Sequence, residues 1–166
     1  MSGVGDITDK NGFLILREAL RLAKGVAHGY ADNGDTAPPI AVSGGSLAAG
    51  ALRSTIQDLA IYVVANIALG DTKLSSVLQM MQQRQAIGLS QNSAAGLGWN
   101  ISMPDTPQEQ FSKDGSTAGF SSYIAFSKVS RVSFAVVCNG HHVGQIIAPQ
   151  LHKLLGASAL PLDDSE

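Results

Sequence analysis

Residues Ser112 to Phe126 read SKDGSTAGFSSYIAF, and they place Lys113, Gly115, Ser116 and Thr117 within five positions, just ahead of an apolar strand segment. A lysine on a strand that borders a cleft holds an ammonium group beside a reacting carbonyl. A glycine two positions later leaves no side chain to keep substrate off the backbone. The N–H of Ser116 can then serve an oxyanion hole, and the hydroxyls of Ser116 and Thr117 can bind a substrate carboxylate or carbonyl. The plain alternative is a polar hairpin with Gly115 in its turn.

Other chemistry-bearing residues are weaker candidates. Ser43 in AVSGG partly matches the Gly-x-Ser-x-Gly nucleophile elbow, but its first position is alanine and no strand-turn-helix pattern surrounds it, so a glycine-rich-loop serine is expected. His141 and His142 follow Cys138 and Asn139. Adjacent histidines on a turn point apart and no second ligand cluster accompanies them, so no metal is expected. His152 reads as a surface or satisfied histidine, and Trp99 as a packing residue between sheet and helices rather than a ligand platform. No residue set calls for a cofactor.

The elements that must position Lys113 follow from periodicity. Residues 1–12 read as a loose arm and 13–166 as a single domain, helical over about 13–90 and sheet plus terminal helix over about 96–156. FLILREALRLAKG carries Phe13, Leu16, Leu20 and Ala23 at helical spacing, with Gly25 as its stop. YADNGDTAPPIAVSGGSLAAG has no period and reads as a long loop of the kind that lines sites. Ser54 and Gln57 have capping-box spacing ahead of IQDLAIYVVANIAL, which is apolar on most faces and reads as a buried helix ended by Gly70. Asp71 or Thr72 caps a third helix. Its Leu74, Val77, Leu78 and Met81 should face inward, and Gln79, Gln82, Gln83 and Arg84 outward.

Past residue 90 the period changes. GLGWNISM (96–103), closed by Pro104 and Pro107, then EQFSK, FSSYIAFSK and RVSFAVVCN read as strands, with Val132, Phe134, Val136 and Cys138 on one face of the last. VGQIIAPQLHKLLG returns to helical spacing, bent or limited by Pro149. The expected class is α+β: an antiparallel meander covered by helices.

Composition sets the outer bounds. With 45% apolar and 14% charged residues the chain should fold rather than stay disordered. A net charge of −2 gives no reason to expect nucleic acid or an anionic membrane as partner. The one cysteine, Cys138, cannot form an internal disulfide. No apolar run reaches membrane-span length, and MSGVGDITDKNG lacks the pattern of a signal peptide, so the expected location is cytoplasmic.

The motifs together resemble the serine β-lactamase and penicillin-binding-protein superfamily, in the branch of class C β-lactamases, D-alanyl-D-alanine carboxypeptidases and family VIII esterases. KDGSTAGF resembles that family's Lys/His-x-Gly-Ser/Thr-x-Gly-Phe motif. LAKGVAHGYADNGDTAPP is similar to its LA-x-GY segment, AAGALRSTIQDLAIYVVANI to its AGGL-x-ST-x-x-DLA-x-F helix, GLGWNI to its YGLGW strand, and DITD to its GMTDT. The resemblance spans about residues 6–156. It implies a partial β-lactamase/transpeptidase-like fold, with Lys113, Gly115 and Ser116 as the remnant of the catalytic edge strand. Lys113, Ser116 and Thr117 would contact a β-lactam, peptide or ester ligand without a metal. Family members are often periplasmic or exported.

Two of the family's motifs do not occur. No lysine has a serine three residues before it, so Ser-x-x-Lys is absent. Tyr30, Tyr62 and Tyr123 are followed two positions on by Asp32, Val64 and Ala125, so Tyr-x-Asn is absent too. Asp114 also departs from the Lys-Thr-Gly form, and its charge favours an ester- or amide-directed ancestor over one for anionic β-lactams. The expectation is a truncated serine-hydrolase domain, inactive alone. The alternatives are a non-enzymatic binding or interaction module, or one half of a two-chain hydrolase whose missing N-terminal half is separate. An unpaired sheet edge and an uncovered apolar face are expected to favour a homodimer or higher oligomer.

Overall fold

The computed structural model describes residues 25, 27–37, 50, 52–68, 72–88, 90, 92–140, 146–147, 149–151 and 153. The expected helix over 13–24, Ser43, Gly70, Asp71, His141, His142 and His152 lie outside the described residues. Among the described residues, helices α1 (Ile56–Ala68) and α2 (Ser75–Gln82) are followed by six strands. These are β1 (Ala86–Ile87), β2 (Ser93–Ala95), β3 (Asn100–Ser102), β4 (Gln110–Thr117), β5 (Phe120–Ser127) and β6 (Val132–Cys138). The strands form one antiparallel sheet in chain order, the α+β meander that the sequence implies. The described residues of the C-terminal stretch, 146–147, 149–151 and 153, are helical.

The N-terminus of α1 is capped one residue later than expected. Thr55 Oγ1 accepts the Asp58 backbone N–H at 3.1 Å and donates to Asp58 Oδ2 at 2.9 Å, so the reciprocal pair is Thr55–Asp58 rather than Ser54–Gln57. The helix packs on β5 and β6. It is not buried all round: Val63 and Asn66 are buried, whereas Ile61 is 69% and Val64 55% exposed.

Helix α2 also corrects the pattern. Leu78 is buried, but Leu74 and Val77 are exposed, and Gln82, expected outside, is buried. The reason is a polar partner. Gln82 Nε2 donates to Asn66 Oδ1 at 2.9 Å and Asn66 O at 3.2 Å, while Asn66 Nδ2 donates to Tyr62 O at 2.8 Å. The two amides lock α2 to α1 through the interior. Among the described residues Gln82 Oε1 and Trp99 Nε1 stay buried without a partner.

Strands β1 and β2 were not anticipated, and β1 falls within the stretch read as helical. The GLGW turn joins them to α2. Leu97 N–H donates to Met81 O at 2.9 Å and Gly96 N–H to Trp99 O at 2.9 Å. Gly98, at φ +79°, supplies the left-handed step before Trp99 enters the core. There Trp99 meets the edge of Phe126 at 5.0 Å, Phe126 stacks on Phe111 at 4.9 Å, and Tyr62 stacks on Trp99 at 6.2 Å.

Candidate functional site

Lys113, Gly115 and Thr117 are brought to one face by strand alternation. In the β4–β5 ladder Lys113 pairs with Ile124, Gly115 with Ser122 and Thr117 with Phe120. Phe111, on the same face, belongs to the aromatic core. Asp114 and Ser116 project from the opposite face. Gly115 is therefore mid-strand, not in a turn; the turn is Ala118–Gly119.

Strand β4 is only half an edge. Strand β3 pairs with Gln110, Phe111 and Ser112, and from Lys113 onward no described strand lies on that flank. A two-residue turn makes its flanking pair, Thr117 and Phe120, the hydrogen-bonded one. Alternation along the ladder then turns the polar backbone groups of Asp114 and Ser116 away from β5, toward the flank on which β3 has stopped pairing. The side chain of Lys113 agrees with this parity, because its Nζ donates to Asp114 O at 2.9 Å. The Asp114 carboxylate comes round the same edge to 3.6 Å from Nζ. Both side chains are half in solvent, so this ion pair contributes little stability and leaves the ammonium available.

The hydroxyl of Ser116 thus lies across the strand from Lys113, while its N–H is aimed at the flank a ligand would approach. A donor there has the orientation that stabilises charge developing on a carbonyl oxygen. The hydroxyl of Thr117 is on the face of Lys113. Gly115 has ordinary strand geometry, and a Cβ added there would sit 3.6 Å from Ser122 Oγ, an ordinary contact. The glycine is not required by the fold. Its effect is to leave the strand surface bare between Lys113 and Thr117. Gly115→Ala is expected to shift stability by no more than about 0.5 kcal/mol, yet to weaken a ligand lying along β4 about tenfold. Thermal unfolding and ligand titration of the same sample check both halves.

The stretch from Tyr30 that reads in the sequence as a site-lining loop gains an attachment that the sequence does not show. The loop 28–37 is latched to the tip of the β4–β5 hairpin: Tyr30 N–H lies 3.2 Å from Gly119 O and 3.1 Å from Asn139 O, and Asn139 Nδ2 donates to His28 O at 3.1 Å. Ala37 N–H closes the loop on Gly29 O at 2.8 Å. Between loop and tip lies a cleft of 590 Å³ lined by Ala31, Asp32, Asn33, Asp35, Ala118 and Gly119, among others. The signal in the sequence was the pair of glycines, Gly29 and Gly119, in motifs far apart along the chain.

Cys138 is half-buried, and the described residues contain no group of three or more potential metal ligands. Trp99 is buried in the core, as expected of a packing residue. No helix among the described residues is long and apolar enough to cross a membrane. Among curated proteins none matches the chain. A family model described as Beta-lactamase matches residues 16–156, which takes in α1, α2, β1 to β6 and the loop latched to the hairpin. With that match over most of its length, and the Lys-x-Gly strand set in the sheet as described, the chain belongs to the β-lactamase family.

Proposed function

We propose that this chain carries the Lys-x-Gly half of a β-lactamase-type serine-hydrolase site and binds a carbonyl ligand along β4 without forming an acyl-enzyme. The observation that carries the reading is the shared face of Lys113, Gly115 and Thr117, beside a flank toward which the Ser116 N–H is turned. Lys113 supplies charge to a ligand carboxylate or carbonyl, Ser116 an oxyanion-type donor, and Thr117 a hydroxyl. Acyl transfer needs an activated nucleophile together with these donors. The sequence holds neither Ser-x-x-Lys nor Tyr-x-Asn to provide one. Ligands of this chemistry are β-lactams, peptides and esters. Asp114, 3.6 Å from the ammonium, competes with an anionic ligand and favours neutral esters or amides.

The test is intact mass after incubation with a reactive penicillin and, separately, a fluorophosphonate. An unshifted mass is expected with both; a stoichiometric adduct would overturn the non-covalent reading. Binding of the penicillin, followed by amide shifts of Lys113 to Thr117, is expected to weaken about tenfold in Lys113→Ala, the value of one charge-assisted hydrogen bond. Shifts elsewhere that ignore Lys113→Ala would remove β4 from the site. The second reading, half of a two-chain hydrolase, is favoured by the flank of β4 beyond Ser112, where no described strand pairs. It requires hydrolysis to appear only when a separate chain bearing Ser-x-x-Lys and Tyr-x-Asn is added.

A further inference from the structure

Loop 28–37 is anchored to the sheet as well as to the hairpin tip. Past Cys138 the chain of β6 runs on through Asn139 and Gly140, and Ser121 Oγ donates to Gly140 O at 2.8 Å. Ser121 is the β5 residue that pairs with Cys138, so its hydroxyl extends the hold of the sheet beyond the last strand pair. Tyr30 bridges Gly140 in the parallel sense, and its N–H lies 3.1 Å from Asn139 O. The Asn139 side chain adds a second tie, its Nδ2 donating to His28 O at 3.1 Å. One residue at the end of β6 thus holds both His28 and Tyr30.

The loop in turn bears on the hairpin tip. Tyr30 N–H also lies 3.2 Å from Gly119 O. A Cβ built on Gly29 would lie 2.7 Å from Phe120 Cε2 and 2.8 Å from Gly119 O, so the tip is seated directly on the Gly29 backbone. Phe120 is the partner of Thr117 across the two-residue turn. Asn139 therefore reaches Thr117 through the loop backbone and the turn. The loop is also one wall of the cleft beside Ala118 and Gly119, and its seat fixes that wall too.

We infer that Asn139 is a positioning residue of the β4 site, acting through loop 28–37 to fix the hairpin tip next to Ser116 and Thr117. Its consequence for binding rests on the ligand reading of β4, whereas the contacts that carry it do not. The residue type fits the task. A backbone carbonyl such as His28 O only accepts, so the side chain facing it must donate; an amide does, and an ionised carboxylate of the same size cannot. Binding groups keep their geometry when supporting hydrogen bonds tie them to a rigid element, which here is the sheet. Losing one such bond raises the population of a locally opened loop about fivefold.

The experiment uses the full chain and Asn139→Asp at neutral pH, which keeps the size of the side chain and removes its donor. Without ligand, the Tyr30 amide is expected to exchange about fivefold faster and the Ser116 and Thr117 amide resonances to shift. Affinity for the reactive penicillin should fall by a similar factor. Val63→Ala, a core deletion on α1, is the control for stability alone. It should lower the urea midpoint at least as far, yet leave those resonances and the penicillin affinity of the folded protein unchanged. If the aspartate variant fails to fold, Asn139→Ala makes the same comparison without the added charge. A lowered midpoint with unshifted Ser116 and Thr117 amides would make Asn139 a structural residue and overturn the inference. Equal shifts of those amides in Val63→Ala would overturn it too. If the unaltered chain does not bind the penicillin, the ligand reading fails, and the ligand-free Thr117 shift still decides whether Asn139 positions the tip.

Discussion

Phe126→Ala is expected to lower stability by about 3–5 kcal/mol, the usual cost of emptying a buried phenylalanine site. Phe126 is fully buried and joins the two halves of the core: its ring stacks on Phe111 at 4.9 Å and receives Trp99 at 5.0 Å. Phe111 sits on β4 and Trp99 just before β3, so the cavity would open where the strand bearing Lys113 meets the rest of the sheet. A single domain is stable by only about 5–15 kcal/mol, so the variant should be partly unfolded well below the parent's melting temperature. Urea titration followed by Trp99 fluorescence measures it. Val129→Ala, at an exposed turn position, is the control and should change the midpoint little. Equal midpoints for Phe126→Ala and the parent would mean that this aromatic cluster does not hold the sheet together.

Gly119→Ala should have the second-largest effect, about 2–4 kcal/mol, for two separate reasons. Gly119 sits at φ +76°, and a side chain in the left-handed region costs about 1–2 kcal/mol. The added Cβ would also lie 2.6 Å from Ala37 Cβ and 2.8 Å from both Gly29 C and Tyr30 N, which a rotamer change cannot relieve because two of the three atoms are backbone. Loop 28–37 must then leave the hairpin, breaking the contact of Tyr30 N–H with Gly119 O. Faster exchange at Tyr30 and Ala37, with the β5–β6 amides still slow, is the expected signature. Unchanged exchange at those two amides would show that the latch does not depend on Gly119. Comparison with Gly115→Ala separates the glycines: one is required by the backbone, the other only by what lies against it.

Much of the fold could be read before the structure. A run such as SFAVV needs nothing beyond its own alternation to be a strand, and the α1 segment is apolar enough to be a helix. The errors have local causes. Ser54-x-x-Gln57 and Thr55-x-x-Asp58 both have capping spacing, and only the start of the helix at Ile56 selects the second. Strands β1 and β2 are two and three residues of small or neutral type, too short to show a period. Gln82 breaks the apolar pattern of α2 because Asn66, sixteen residues earlier, satisfies its amide.

The sequence by itself determined the chemistry within reach: a lysine, a bare glycine and two hydroxyls on one strand, with no Ser-x-x-Lys or Tyr-x-Asn beside them. That Lys113, Gly115 and Thr117 share a face was decided by the structure, because the sequence left Gly115 open to a turn and only the run of β4 on to Thr117 applies the strand's period of two to all three. Only the tertiary structure decided on which flank of that strand no described strand pairs, because that depends on where β3 stops pairing, at Ser112 opposite Asn100. The latch of loop 28–37 on Gly119 and Asn139 was likewise decided by contacts between residues far apart in the chain. Side-chain periodicity is local, whereas a strand's neighbours are set by the whole sheet.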